Sequence, residues 1–158
     1  MANEVLYWSD LINQPVQIAG QGRLAGRIVD FYYNPDGQSI PALRVMTGLY
    51  GSRVLLSSAI QTIGADGVTI ANQNMLIDET NAGHLYHLPL AEQLVGASVV
   101  NERGQELGAV SQVLLGIYPP VALRISALEV GRHPARRISA HAILRVERGK
   151  LTVIEQAS

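Results

Sequence analysis

Cysteine is absent from this 158-residue chain, which removes disulfides, thiolate zinc sites and cysteine nucleophiles from consideration. Phenylalanine and tryptophan occur once each and aromatics make up only 5% of the residues, so a core has to be assembled mostly from Val, Ile, Leu and Ala. Charged residues reach 16%, against roughly a quarter in an ordinary globular domain. A surface so poor in charge is expected to bury part of itself against a partner protein or a second copy of the chain. No apolar run approaches the roughly 20 residues of a membrane-spanning helix, and "MANEVLYWSDL" has neither the basic region nor the apolar stretch of a secretory leader. A cytoplasmic protein without a membrane span is the expectation.

The formal charge of −1 is unevenly divided. Residues 1–90 carry four Arg against seven Asp and Glu (−3), and residues 91–158 carry eight Lys and Arg against six Glu (+2). Neither part is basic enough to announce a nucleic-acid surface.

What the chain does contain is a repeat. Leu11, Asn13 and Val16 align with Leu94, Gly96 and Val99, each 83 positions later, and Gly22, Gly26 and Ile28 align with Gly104, Gly108 and Val110, each 82 later. Further on, Ala42-Leu43-Arg44-Val45 is matched to Ala122-Leu123-Arg124-Ile125, 80 positions away, which implies a shorter connecting loop in the second copy. Ala59-Ile60 answers Ala142-Ile143, and "GVTI" (67–70) answers "KLTV" (150–153). Within each copy the segments are short, rich in Val, Ile and Tyr, and bounded by Gly, Asn, Asp or Pro, which is the pattern of β-strands and tight turns. A short helical turn is expected before each first strand.

Gly20, Gly22 and Ala25 show the G-x-G-x-x-A spacing of a dinucleotide-binding loop. Such a loop requires its third small residue to open a helix facing the pyrophosphate. Here "GRIVDFYYN" follows, β-branched and aromatic, and the second copy lacks the spacing. A β-hairpin is therefore expected and the cofactor site rejected.

The segments "SDLINQPV", "GRLAG", "RIVDFYY" and "SAIQTIGADGVTI", with "AEQLVGASV", "GQELG", "AVSQVLL" and "AHAILRVERGKLTV" in the second copy, resemble the PRC-barrel family. That family is named for the cytoplasmic domain of the photosynthetic reaction-centre H subunit, and its barrel also forms the C-terminal domain of a ribosome maturation factor. The resemblance implies an all-β protein of two tandem small six-strand barrels with short helical turns, over residues 1–72 and 91–158 with a connector at 73–90. It also implies a non-enzymatic adaptor that docks onto a larger protein assembly, with a possible tie to photosynthetic complexes. A ribosome- or RNA-associated factor using the basic second half is the first alternative, and a metal- or small-molecule-binding module the second. No cofactor is expected.

Candidate functional residues are few. His84 and His87, three apart in the connector, are a weak metal pair, since metal sites normally take three or four ligands. Ser57, Ser58 and Ser139 stand at equivalent strand ends without a nucleophile elbow, so their hydroxyls are expected to satisfy backbone. Arg132, Arg136 and Arg137 in "GRHPARR" form the densest basic segment and a candidate surface for an anionic partner. In "DFYY" alternate side chains face opposite sides, so Phe31 and Tyr33 share one face and Tyr32 takes the other. One face is expected in the core and the other at an interface, which makes Tyr32, with Tyr50, a candidate contact for a partner.

Overall fold

The computed structural model describes residues 5–35, 38–48, 51–85, 87–132, 134–147 and 149–154; Tyr50 and His133 lie outside the described residues. The chain opens with β1 (Val5–Tyr7) and a single helical turn, α1 (Trp8–Leu11). The first repeat supplies β2 (Pro15–Ile18), β3 (Arg23–Tyr32), β4 (Ala42–Thr47), β5 (Gly51–Leu56), β6 (Ile60–Gly64) and β7 (Gly67–Ile70), and the connector adds β8 (Leu76–Ile77). The second supplies β9 (Ser98–Val100), β10 (Glu106–Gly116), β11 (Arg124–Val130), β12 (Arg136–Ser139), β13 (Ile143–Glu147) and β14 (Lys150–Val153). The protein is all-β, with two curled sheets that correspond to the two repeats.

The sheets have the same order, β6-β7-β2-β3-β4-β5-β8 and β13-β14-β9-β10-β11-β12. In each, one pair is parallel, β2 with β7 and β9 with β14, and the other pairs are antiparallel. Even the irregularities repeat. The register slips between Ile28 and Asp30 in one sheet and between Val110 and Gln112 in the other, and again between Ile60 and Thr62 and between Ile143 and Arg145. Matching β-bulges at matching residues mark two descendants of one unit, because bulges are positional features of a sheet.

Strand pairing corrects one part of the sequence alignment. Asp30 faces Arg44 and its equivalent Gln112 faces Glu129, so β4 residues Ala42–Val45 answer Ala127–Val130, not Ala122–Ile125. Between equivalent strand ends the first repeat has the nine residues 33–41 and the second the twelve residues 115–126. The second loop is longer by three, where a shorter one was expected.

Gly20 and Gly22, at φ 76° and 59°, lie in the turn between β2 and β3. Ala25 is buried within β3 and opens no helix, so the glycine spacing belongs to a hairpin. No helix among the described residues is long and apolar enough to cross a membrane.

The two units are interlocked. β1 leaves its own repeat and pairs with β10, with Tyr7 opposite Leu114. At the equivalent positions of the other unit, Leu90 bridges to Tyr32 of β3. Each unit thus lends the residue before its helical turn to the long strand of the other. The 38–40 segment also crosses over: Ile40 N–H donates to the Leu123 carbonyl at 2.8 Å, and Ile125 N–H to the Gln38 carbonyl at 2.9 Å. One continuous apolar core results, running from Leu11, Phe31 and Leu43 in the first unit to Leu94, Leu115 and Leu128 in the second. Phe31 sits at its centre, edge-on to Trp8 at 4.9 Å and to Tyr33 at 6.1 Å between ring centroids.

Asp30 ties the units together by polar contact. Its carboxylate accepts from the Phe31 N–H at 2.9 Å and is turned toward the backbone N–H groups of Ala91 and Glu92, whose field favours its charged form and which open the helical turn Ala91–Gln93 of the second unit. Burial raises its pKa, the Glu92 charge adds a smaller push in the same direction, and the N–H groups of Phe31, Ala91 and Glu92 offset only part of this. Asp30→Ala leaves the Phe31 N–H without its acceptor and is expected to cost about 2 kcal/mol in a urea titration. The raised pKa means that the folded state keeps the proton longer than the unfolded one. Stability attributable to Asp30 therefore rises as pH falls from neutral through its titration toward 3.8. The alanine variant is expected to lack that rise.

Candidate functional site

The outer faces of the two sheets are finished differently. In the first unit Tyr32, Ala42 and Val54 form a second apolar cluster with Ala82 and Leu85, which the connector's 3₁₀ turns (Glu79–Leu85) lay over them. Tyr32 is only 8% exposed there. Phe31 and Tyr33 do fill the core, and the interface that Tyr32 serves is the connector's, not a surface open to a partner. Glu79 locks this cover to the sheet by an ion pair from the Arg44 Nε at 3.0 Å.

In the second unit the same face keeps buried Leu114 and Ala127 at the positions of Tyr32 and Ala42 and turns polar beyond them. The position of Val54 is taken by Arg137, as the pairings Leu43–Leu55 and Leu128–Ile138 establish. Arg137 Nη2 donates to Glu129 Oε2 at 3.0 Å and to the Tyr7 hydroxyl at 3.3 Å, and that hydroxyl donates to the same Glu129 oxygen at 2.9 Å. These bonds lower the Glu129 pKa, first through Arg137 and then through Tyr7, and raise that of Arg137. Glu129 and Arg137 are charged throughout the physiological range. Arg136 follows on the same strand and Arg132 on the turn after Gly131, both exposed. The three candidate arginines therefore share one end of the second sheet. Glu129 and Tyr7, which complete the cluster, carry no sequence signal: Tyr7 lies 122 positions from Glu129 and reaches it only because β1 crosses over.

His84 and His87 are both exposed, and no group of three or more His, Asp or Glu suited to a metal exists among the described residues. Ser139 Oγ accepts from the His141 N–H at 3.2 Å, capping the 3₁₀ turn Ala140–Ala142, which is a backbone-satisfying role.

Two cavities went unforeseen. One, of about 390 Å³, lies beside β8 and is lined by Arg53, Asn74, Asp78 and Asn81. The other, of about 500 Å³, lies where the 38–40 segment crosses to the second unit, among Gln38, Arg124, Ser126 and His141. Gln38 adopts φ 66° and donates from Nε2 to the Pro35 carbonyl at 2.9 Å, while its buried Oε1 has no hydrogen-bond partner among the described residues. Arg124 is engaged with the carbonyls of Ala122 and Tyr118 at 3.0 and 3.3 Å.

No protein-family model matches the chain, and no curated protein matches it in sequence. The residues that carry chemistry on this fold have to be judged on their own geometry. By that standard the strongest candidate is the arginine-bearing end of the second sheet.

Proposed function

We propose that the protein is a non-enzymatic, cytoplasmic adaptor of the PRC-barrel type that docks onto another protein through the arginine-bearing end of its second barrel. The observation that supports this most is the asymmetry between repeats: the outer face of the first sheet is capped by the connector, whereas the equivalent face of the second presents Arg137 beside Glu129, with Arg136 and Arg132 exposed at the same end of the sheet. Exposed like charges grouped on one rim steer an oppositely charged partner and contribute more to encounter than to final affinity. Arg137 is half neutralised by Glu129, which favours a protein with mixed acidic and apolar character over the uniform charge of a phosphate backbone.

Capture from source lysate by the parent protein and by an Arg132→Glu/Arg136→Glu double variant, with and without nuclease, tests this reading. The expected result is a protein partner that survives nuclease and is lost with charge reversal. Loss on nuclease treatment moves the assignment to RNA. Capture unchanged by charge reversal overturns the site.

A further inference from the structure

β5 and β12 are equivalent strands, yet among the described residues only β5 has a strand on its outer edge. β8 pairs antiparallel with β5, setting Leu76 opposite Leu55 and Ile77 opposite Val54. Among the described residues no strand pairs with the outer edge of β12, which ends its sheet. An edge strand leaves a row of backbone N–H and C=O groups ready to pair with another extended chain.

We propose that the β12 edge takes an extended segment of a partner protein in the manner of β8, and that this segment places an apolar residue followed by two acidic ones. The proposal rests on the adaptor reading and specifies its mode. The first unit displays the chemistry. Leu76 enters the central core beside Leu55, and the equivalent of Leu55 is Ile138, itself part of that core. The incoming residue opposite Ile138 must therefore be apolar. Ile77 meets Val54 in the outer cluster, but Val54 has become Arg137, so the residue opposite it must be acidic. Asp78 follows in the connector and lines the cavity beside Arg53, whose equivalent is Arg136, so a second acidic residue comes next. A second copy of this chain is a poor occupant. Two fully overlapped β12 edges joined about a two-fold axis would set Arg137 opposite Ile138 and Arg136 opposite Ser139, which gives neither arginine an acidic partner across the strands.

The probe is a synthetic peptide of residues 74–80 carrying Ile77→Glu, titrated into the full-length, isotope-labelled protein while backbone amide resonances are followed. The native 74–80 segment already fills the first slot at the high effective concentration of a covalent tether, which leaves β12 as the open one. Saturable shifts centred on Arg136–Ser139 are expected. A peptide with Gln and Asn in place of its acidic residues is expected to bind about fivefold more weakly, as exposed ion pairs would give. Successive residues of an added strand turn their amides alternately toward and away from the edge. Of two peptides N-methylated on opposite alternate sets of amides, one should lose binding and the other keep it. Absence of saturable shifts, shifts centred elsewhere, or equal binding of the two methylated peptides overturns the proposal. If that happens while nuclease-resistant, charge-dependent capture persists, strand addition falls and the adaptor reading stands; if capture fails as well, the reading itself falls.

Discussion

Gly67→Ala is expected to destabilise the protein by about 3–4 kcal/mol, one of the largest single-residue losses available to this fold. Gly67 opens β7 at φ 113°, and a Cβ placed on it would stand 2.2 Å from the backbone carbonyl oxygen of Pro15. That oxygen belongs to β2, whose parallel pairing with β7 begins one residue on, at Val16–Val68. Neither strand can retreat without opening a sheet whose inner side chains, Val16, Val68 and Ile70, are buried. The strain of a positive φ, about 1–2 kcal/mol for an ordinary residue, is therefore added to a backbone collision. Gly149 provides the control: it has φ 75° with nothing within 4 Å of its notional Cβ, so Gly149→Ala is expected to cost about 1 kcal/mol. In thermal unfolding the difference should separate the variants by several degrees, at roughly 2–4 °C per kcal/mol for a chain of this size. Equal midpoints would show that the β2–β7 contact is looser than the geometry requires.

The same pair of turns shows how far the sequence could be read. Alignment places Gly67 against Lys150, and the pairings Val16–Val68 and Val99–Leu151 confirm that equivalence. From the alignment alone Gly67 would pass for replaceable. The second copy accommodates Lys150 because its left-handed residue has moved one place back, to Gly149. The repeat, the β class and the hairpin after Ala19 were legible because each is written in neighbouring residues: glycines at turns, alternating apolar positions between them. Where the alignment erred, at Ala122–Arg124, residue identity with Ala42–Arg44 outweighed the true match to Ala127–Val130. Burial does not separate the two matches, since Leu123 and Ile125 are as buried as Leu128 and Val130; the strand register does, pairing Leu128 with Val113 as Leu43 pairs with Phe31. Ser126 is bulged out of β11 where the 38–40 segment of the other unit docks, an arrangement that depends on two chain segments meeting at long range.

The candidate site was legible by half for the same reason. Arg132, Arg136 and Arg137 are neighbours in sequence, so their density is visible in the chain itself. Glu129 joins them through the β11–β12 register, Tyr7 through the strand that crosses between units, and the bare edge of β12 becomes apparent only beside the covered edge of β5. Tyr32 is the converse case: an aromatic on the outward face of a strand looks like a contact for a partner until the connector is seen to occupy it.

Severing the chain in the connector and purifying residues 1–90 and 91–158 separately is expected to abolish cooperative unfolding in both pieces. Two barrels that each enclosed their own core would survive this cut. Here the first fragment would carry β1 without β10, the strand it pairs with, and would leave the core-facing sides of Trp8, Leu11 and Phe31 without the second unit's contribution. The second would lose the β1 strand from β10 and, with the 38–40 segment, the hydrogen bonds at Leu123 and Ile125. Each repeat alone is also of a size at which a single core is thermodynamically marginal. Trp8, the chain's only tryptophan and 6% exposed, reports on the junction directly: its fluorescence in the isolated first fragment is expected to resemble that of the denatured protein and to recover when the second fragment is added. Because β1 and Leu90 exchange places symmetrically, recovery should reach an end point at equal amounts of the two pieces. A sigmoidal urea transition in residues 1–90 alone, with the midpoint of the intact chain, would show that the shared core contributes nothing to stability and that the units stand independently.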